Sequence, residues 1–299
     1  MPIISGTVFD DSGNPVAGRI VRAYRRDTGE LLGWTLSSDG SSDPHWDKVV
    51  SLLHFDGVNG STSFIDETGR LWTAKGGAII SSEQAKFGNT SGKFFGVGSR
   101  IDTAPTLDFS FGTGDFTVEG WIYVGPPPGG GVDNDRSIFG AFDFNPDMNF
   151  FLDRRDNAPS LWDGNTAPVS SIPVPTNKWS HFAFVRESGV LRMFVDGVMG
   201  YQGALTTNFN STAVADIGSE RAASRPLNGY LDSFRITKGV ARYTANFTPP
   251  TAPFPETATP LPLGKYEITT TYTGECNVIC LDDSEGTTYN DLILRTIPA

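Results

Sequence analysis

The sequence predicts an all-β protein, and three observations lead there. Apolar and polar residues alternate with period two through many short stretches. The chain of 299 residues holds 34 glycines and 20 prolines, which suit short strands joined by tight turns. Asp/Gly clusters recur between the apolar stretches, so very little helix is expected.

The clearest strand covers residues 115–124. Phe116, Val118, Ile122 and Val124 fall on one face with Gly120 between them, while Thr117, Glu119, Trp121 and Tyr123 fall on the other. The first face reads as core. The second joins aromatic bulk to polar tips, as a half-covered or ligand-facing sheet surface does. The Gly-Pro-Pro-Pro-Gly-Gly-Gly run at 125–131 ends this strand, because proline cannot donate to a sheet ladder.

Hydrophobic residues make up 38% of the chain and aromatics 12%, enough for substantial cores. A formal net charge of −11 argues against nucleic acid or an anionic membrane, since phosphate binding needs clustered Lys and Arg. No apolar stretch reaches the ~20 residues of a bilayer span, and the first eight residues lack the basic and apolar regions of a secretion signal. Cys276 and Cys280 sit four positions apart in a strand pattern, roughly 13 Å at ~3.3 Å per residue. That exceeds disulfide reach, so two free thiols are expected, packed as small core residues.

Taken in order, the chain opens with strand patterns at 3–9, 19–24 and 31–36, separated by turns at 10–15 and 27–30. Three such strands bury too little surface to fold alone. Their missing partners lie at the far end, at 264–271, 278–281 and 289–295, after the Pro-rich run 248–255. Two halves of that size predict one small domain, 1–42 with 260–299, split by an insertion covering 43–255.

Inside the insertion, strands are expected at 46–55, 78–80, 92–95, 99–101, 115–124, 137–140, 148–152 and 160–162. Later ones follow at 178–186, 190–195, 198–201, 214–218 and 229–236. Asp196-Gly197 between two of them is the strongest hairpin signal in the chain.

These landmarks carry two resemblances. Ser5-Gly6-Thr7-Val8 through Gly13-Asn14-Pro15-Val16-Ala17-Gly18 and Val21-Arg22-Ala23-Tyr24 resembles the opening of the carboxypeptidase-regulatory-like, or transthyretin-like, β-sandwich. In that family an SDG turn runs directly into a GxYxI strand. Here the turn ends at Ser38-Asp39-Gly40 and the strand resumes at Gly264-Lys265-Tyr266-Glu267-Ile268. The closing residues 289–295 are similar to the end of such modules in bacteriophage structural proteins.

The central block resembles the laminin G-like, concanavalin A-like jelly roll. The resemblance rests on the first strand running into Phe55-Asp56-Gly57, on Phe116-Thr-Val-Glu-Gly-Trp-Ile-Tyr123 and on the Trp179 strand. It rests also on the Phe194-Val195-Asp196-Gly197 hairpin and on Gly229-Tyr-Leu-Asp-Ser-Phe-Arg-Ile236. It implies a jelly roll inserted into a small Ig-like/transthyretin-like β-sandwich, with the first and last strands of the guest side by side. Residues 237–247 resemble the tail of laminin G-like domains in phage proteins and are expected to strap the sandwich closed.

The resemblance also sets the chemistry to be tested. Glycoside hydrolases of this fold commonly carry Glu-x-Asp-x-Glu on one strand face. No such motif occurs, and Glu119 has no acid beside it on its own strand face. His45, His54 and His181 are scattered, without a nucleophile elbow or a His-Glu-x-x-His helix, so no enzyme is expected. Laminin G-like domains often tie loops with calcium, which takes hard oxygens; the candidates are Asp56, Asp66 and Asp232.

Carbohydrate contact requires aromatic rings for a sugar's apolar face and Asn, Asp or Arg for its hydroxyls. The candidates are Trp121, Tyr123, Arg154, Arg155, Asp156, Asn157, Trp162 and Asn165. The resulting expectation is a phage virion structural protein, in tail or capsid decoration, assembled in the host cytoplasm. Its split sandwich would contact other virion proteins, its jelly roll would bind glycans, and it could form a homo-oligomer. The rivals are a decoration protein that binds only neighbouring subunits and a polysaccharide-degrading enzyme.

Overall fold

The computed structural model describes residues 3–7, 20–25, 28, 31–36, 42–128, 134–141, 148–210, 212, 214–220, 225–257, 265–269, 276–281 and 288–292. The chain forms two compact units, Met1–Trp46 with Pro255–Ala299, and Asp47–Phe254. The first unit opens with β1 (Ile3–Thr7), β2 (Ile20–Arg25) and β3 (Leu31–Leu36). The second supplies β4 (Val49–Leu53), β5 (Ser63–Ile65), β6 (Leu71–Lys75), β7 (Ile79–Ser81), β8 (Ser91–Phe94) and β9 (Arg100–Asp102). It continues through β10 (Phe116–Val124), β11 (Arg136–Ala141), β12 (Met148–Leu152), β13 (Pro159–Trp162) and β14 (Trp179–Glu187). It ends with β15 (Val190–Val195), β16 (Val198–Ala204), β17 (Ala215–Ile217) and β18 (Gly229–Lys238). The first unit resumes as β19 (Lys265–Thr269), β20 (Cys276–Leu281) and β21 (Thr288–Leu292).

In the small unit β1 pairs with β19, and a four-stranded sheet runs β21-β20-β2-β3. Both pairings join the beginning of the chain to its end. Cys276 and Cys280 both lie in β20.

The larger unit is a sandwich of two antiparallel sheets. The eight-stranded sheet runs β16-β15-β14-β10-β18-β8-β7, with β4 also paired to β18. The seven-stranded sheet runs β13-β12-β11-β17-β9-β6-β5. First and last strands of the unit, β4 and β18, are therefore neighbours. Among the described residues there is no α-helix, only a 3-10 turn at Trp46–Lys48. β5 and β6 fall outside the expected strands, because only Phe64 and Trp72 on them are buried and the rest of their alternation is exposed.

Phenylalanines dominate the core. Phe116, Val118, Ile122 and Val124 of β10 are fully buried, as their alternation requires. Phe150 of the opposite sheet meets Phe116, Phe139 and Phe184 at ring-centroid distances of 5.7, 5.7 and 5.1 Å. Gly120 lies where β18 bulges against β10, and a Cβ there would sit 3.1 Å from the Phe234 Cα. The Asp196-Gly197 hairpin has φ of 47° and 76°, the left-handed pair of a type I′ turn.

Arg186 is fully buried at the sandwich edge without a carboxylate in hydrogen-bond contact. Its guanidinium donates to the carbonyls of Gly114, Thr207 and Gly112 at 2.7, 2.9 and 2.8 Å. It also lies over the Phe116 and Phe209 rings. Burial pulls its pKa down to about 10, still charged at neutral pH. One side chain thus ties two loops to the end of β14.

The outer face of the eight-stranded sheet is half covered by residues 240–254. Glu119 is the anchor. Fully buried, it accepts from Arg235 Nε and Nη2 at 3.0 and 2.7 Å and from the Tyr243 hydroxyl at 2.8 Å. His181 and Arg242 stand 3.5 and 3.7 Å away. Burial pushes the Glu119 carboxyl up, but Arg235, His181 and Arg242 outweigh it and hold it well below the usual carboxylate range. Around this centre Tyr243 stacks on Phe247 at 3.6 Å, Phe247 packs on Phe194 at 5.4 Å, and Arg235 lies 3.9 Å over Phe254. Thr117 donates to the Val240 carbonyl and accepts from Arg242 N. Residues 237–247 form the expected strap.

Replacing Glu119 by alanine strands Arg235 in the interior, and loss of one partner of a buried ion pair costs about 3–5 kcal/mol. Urea melts of Glu119→Ala should show that loss at pH 7. Because the carboxyl is depressed in the folded state, the stabilisation is complete above the ordinary carboxylate range and declines only as pH falls below it. A variant within about 1 kcal/mol of the native protein would show that the strap is held by its aromatic contacts alone.

Candidate functional site

The structure separates the expected carbohydrate residues. Trp121 and Tyr123 lie on β10 in the eight-stranded sheet, whereas Trp162 ends β13, the edge strand of the other sheet. Arg154 to Asn157 form the turn between β12 and β13, and Asn165 follows β13. No single surface gathers them all.

Several of them are also occupied. Trp121 is only 6% exposed, enclosed by Phe87 at 5.8 Å, His181 at 5.4 Å and the Lys86 ammonium at 3.9 Å from its ring. In the 153–158 turn, Arg155 folds back on Asp153 with two 2.7 Å bonds, and Arg154 reaches Asp135 at 3.3 Å. Asp156 accepts from Ala158 N at 3.0 Å. Asn157 is fully buried in a left-handed conformation and donates to the Gly125 carbonyl at 3.1 Å. Trp121 and Asn157 are thus both buried, the first under Phe87 and Lys86 and the second inside its own turn. Asp163 caps the next turn through Asn165 N and Thr166 N, leaving Asn165 exposed at the tip.

The calcium candidates do not assemble. Among the described residues, Asp56, Asp66 and Asp232 form no group within reach of one ion. Asp66 accepts from Leu52 N, Thr68 N and Thr68 Oγ1 on one oxygen, and from Ser51 Oγ and Trp72 Nε1 on the other. Five donors occupy both oxygens. Asp56 is partly exposed beside Gly88. Asp232 is buried and accepts from Lys86 N and Phe87 N at 2.8 and 3.1 Å, holding the 83–89 segment against the sheet.

A different set comes together on the outer face of the seven-stranded sheet. Strand register places Trp162 opposite Asn149, Asn149 opposite Gly140, Gly140 opposite Asp216, and Asp216 opposite Asp102. Leu161, Phe150, Phe139, Ala215, Ile217 and Ile101, their strand neighbours, point into the core, so alternation turns the whole line outward. Trp162 and Asp102 reach solvent in part, while Asn149 and Asp216 are fully buried. Gly140, also buried, lies between them.

Hydrogen bonding sharpens the line. Arg100 bridges its two acids, 3.6 Å from Asp216 and 3.5 Å from Asp102. Ser137 donates to Asn149 Oδ1 at 2.8 Å, and Asn149 Nδ2 is buried with no hydrogen-bond partner among the described residues. A buried donor left unmade costs about 1–3 kcal/mol, so the amide gains from any acceptor that reaches it. Sequence reading reached Trp162 but missed Asn149, Asp216, Asp102 and Arg100. The available signal was a charged residue at the centre of Ala215-Asp216-Ile217 and charged flanks around Ile101, where short apolar strands alone would not place them.

Burial pushes the Asp232 carboxyl up to about 7, against the opposing hydrogen bonds from Phe87 and Lys86. A carboxyl raised in the folded state binds its proton more tightly there than in the unfolded chain. Its effect is therefore a loss of stability as pH rises from the ordinary carboxylate range through about 7. Asp232→Asn removes the charge and keeps an acceptor. Thermal melts should show the variant gaining on the native protein between pH 4 and pH 8, by roughly 2–4 kcal/mol. A constant difference across that range would exclude the effect.

Residues 95–242 match the model of the concanavalin A-like lectin/glucanases superfamily, Laminin_G_3. No curated protein matches the chain. Among solved structures, domain 4 of AbnA, a GH43 extracellular arabinanase from Geobacillus stearothermophilus, is similar at 19% identity and TM-score 0.49, over 65% of this chain and 94% of that one. The binding domain of Paraclostridial Mosquitocidal Protein 1 follows at 15% identity and TM-score 0.49, over 65% of this chain and 50% of that one. A Trypanosoma rangeli sialidase matches at 17% identity and TM-score 0.44, over 64% of this chain and 31% of that one. The two-sheet sandwich from β4 to β18 is an all-β, two-sheet jelly roll, and its residues 95–242 are similar to the concanavalin A-like lectin/glucanases superfamily.

Proposed function

We propose that the jelly roll is a non-catalytic carbohydrate-binding module and that it takes a sugar along the line from Trp162 to Asp102. The register of that line carries the reading: it sets a partly exposed aromatic ring at one end and a partly exposed acid at the other, with a buried amide, a glycine and a second acid between them and Arg100 bridging the acids, in one row. The ring suits the apolar face of a sugar, and the amide and acids suit its hydroxyls.

One observation favours hydrolysis instead. Asp216 and Asp102 are cross-strand neighbours, and retaining glycosidases work with two carboxyl groups ~5–5.5 Å apart. Arg100 contacts both, which supports two hydroxyl acceptors in preference to an acid facing a nucleophile. Glu119 is locked to Arg235 and Tyr243 on the other sheet.

A glycan array followed by calorimetry tests the reading. The native protein should bind, and Trp162→Ala and Asp216→Asn should weaken binding at least about tenfold, or ~1.4 kcal/mol, with near-UV circular dichroism showing that each variant is folded. An array without any bound glycan would remove the proposal. Reducing-end release that disappears in Asp216→Asn would replace it with the hydrolytic reading.

We further propose a virion setting, in which the unit built from both chain ends attaches to tail or capsid proteins and displays the jelly roll. The resemblance of residues 289–295 to the end of such modules in bacteriophage structural proteins, and of residues 237–247 to the tail of laminin G-like domains in phage proteins, supports it. A decoration protein that binds only neighbouring subunits is the rival. Mass spectrometry of purified particles should find the chain at stoichiometric levels. Its absence from particles would end the virion reading without touching the glycan line.

A further inference from the structure

The outer face of the eight-stranded sheet has three cross-strand lines near its middle, and the chain covers two of them. The Glu119 line lies beneath the strap. The next line, in which Trp121 stands opposite His181 and Asp232, lies beneath Phe87 and Lys86. The third runs Trp179, Tyr123, Tyr230, Lys93 across β14, β10, β18 and β8. Its rings are 5.8 and 5.9 Å apart, and Phe95, at the end of β8, extends the row with its ring 5.2 Å from Tyr230. Trp179 and Tyr123 are half-buried, Phe95 is 44% exposed, and Tyr230 between them is only 7% exposed, packed against both neighbours at steep angles.

Polar groups edge this row. The Tyr230 hydroxyl donates to Glu83 Oε2 at 2.6 Å, and Lys93 pairs with the other oxygen of Glu83. The indole N–H of Trp179 is out of solvent with no hydrogen-bond partner among the described residues. The Lys86 ammonium, over Trp121 beside the row, has no ion pair among the described residues. Rings that alternate with donors and a carboxylate do not suit an acyl surface, and a net charge of −11 opposes an anionic membrane. They suit a ligand whose apolar patches repeat along its length with hydroxyls between them.

We infer that the Trp179–Tyr123–Tyr230–Phe95 row is a second carbohydrate site, for the chain of a linear polysaccharide. The exposed parts of Trp179, Tyr123 and Phe95 meet the sugars while buried Tyr230 braces the rings beside it, whereas the line on the seven-stranded sheet grips a short segment through polar groups. The two sites face opposite ways, so a polymer network holding both would raise avidity through effective concentration without new contacts. The inference concerns residues separate from those of the proposed site on the seven-stranded sheet.

Affinity electrophoresis through gels containing xylan, hydroxyethylcellulose, mixed-linkage β-glucan or dextran tests it. At least one of the three β-linked polymers should retard the native protein. Tyr123→Ala and Trp179→Phe should each weaken that retardation at least about fivefold, while Trp162→Ala and Asp216→Asn leave it in place. Tyr230→Phe keeps the ring and loses only the Glu83 bond, so it separates ring contact from folding damage; native-like retardation is expected. Near-UV circular dichroism checks that each variant is folded. No retardation by any polymer, or folded Tyr123 and Trp179 variants that migrate like native protein, would overturn the inference. Retardation lost only in the Trp162 and Asp216 variants would overturn it too, while supporting the site on the other sheet.

Discussion

The buried contact of Glu119 with Arg235 holds the jelly roll in its final shape. Both groups sit on the outer side of a sheet whose inner side is hydrocarbon, so neither has water to fall back on. The charge becomes tolerable because Tyr243 arrives from the strap to fill the remaining oxygen and because Phe254 covers the guanidinium. Polar network and aromatic strap therefore require each other. The strap shields the charge, and the charge gives the strap its address on the sheet.

That arrangement divides the labour among the faces of the sandwich. The inner faces are packed with phenylalanine and leave no role for chemistry. Half of one outer face is closed by the strap and by the segment anchored on Asp232. Ligands are left the aromatic row beside that segment and the polar line on the other sheet. Arg186, buried without a carboxylate in hydrogen-bond contact, serves the same division by tying loop carbonyls at the sandwich end, where a backbone would otherwise lose its partners.

Strands β10, β14 and β15 and the Asp196-Gly197 hairpin were legible from residues alone, since each is long enough for its alternation to stand out. β5 and β6 were not, because one buried ring in each is too little pattern to separate strand from loop. Among site residues the same limit applies in another form. Trp121 has the composition of a binding residue, yet Phe87 and Lys86, some thirty-five positions earlier, close over it. Asn157 looks like an exposed turn amide and is instead the buried peg of that turn.

The information carried by the residues alone is local: period-two alternation, glycine and proline punctuation and a type I′ hairpin. These dictate an all-β chain and tell which face of each long strand is core, because a one-residue slip would move every apolar side chain into water. Adjacency arises only on folding. Asp102 and Asp216 become neighbours, and Asn149 and Trp162 join their line, through register between strands far apart in the chain. That register follows from burying two sheets against each other, a condition that no single stretch of sequence contains.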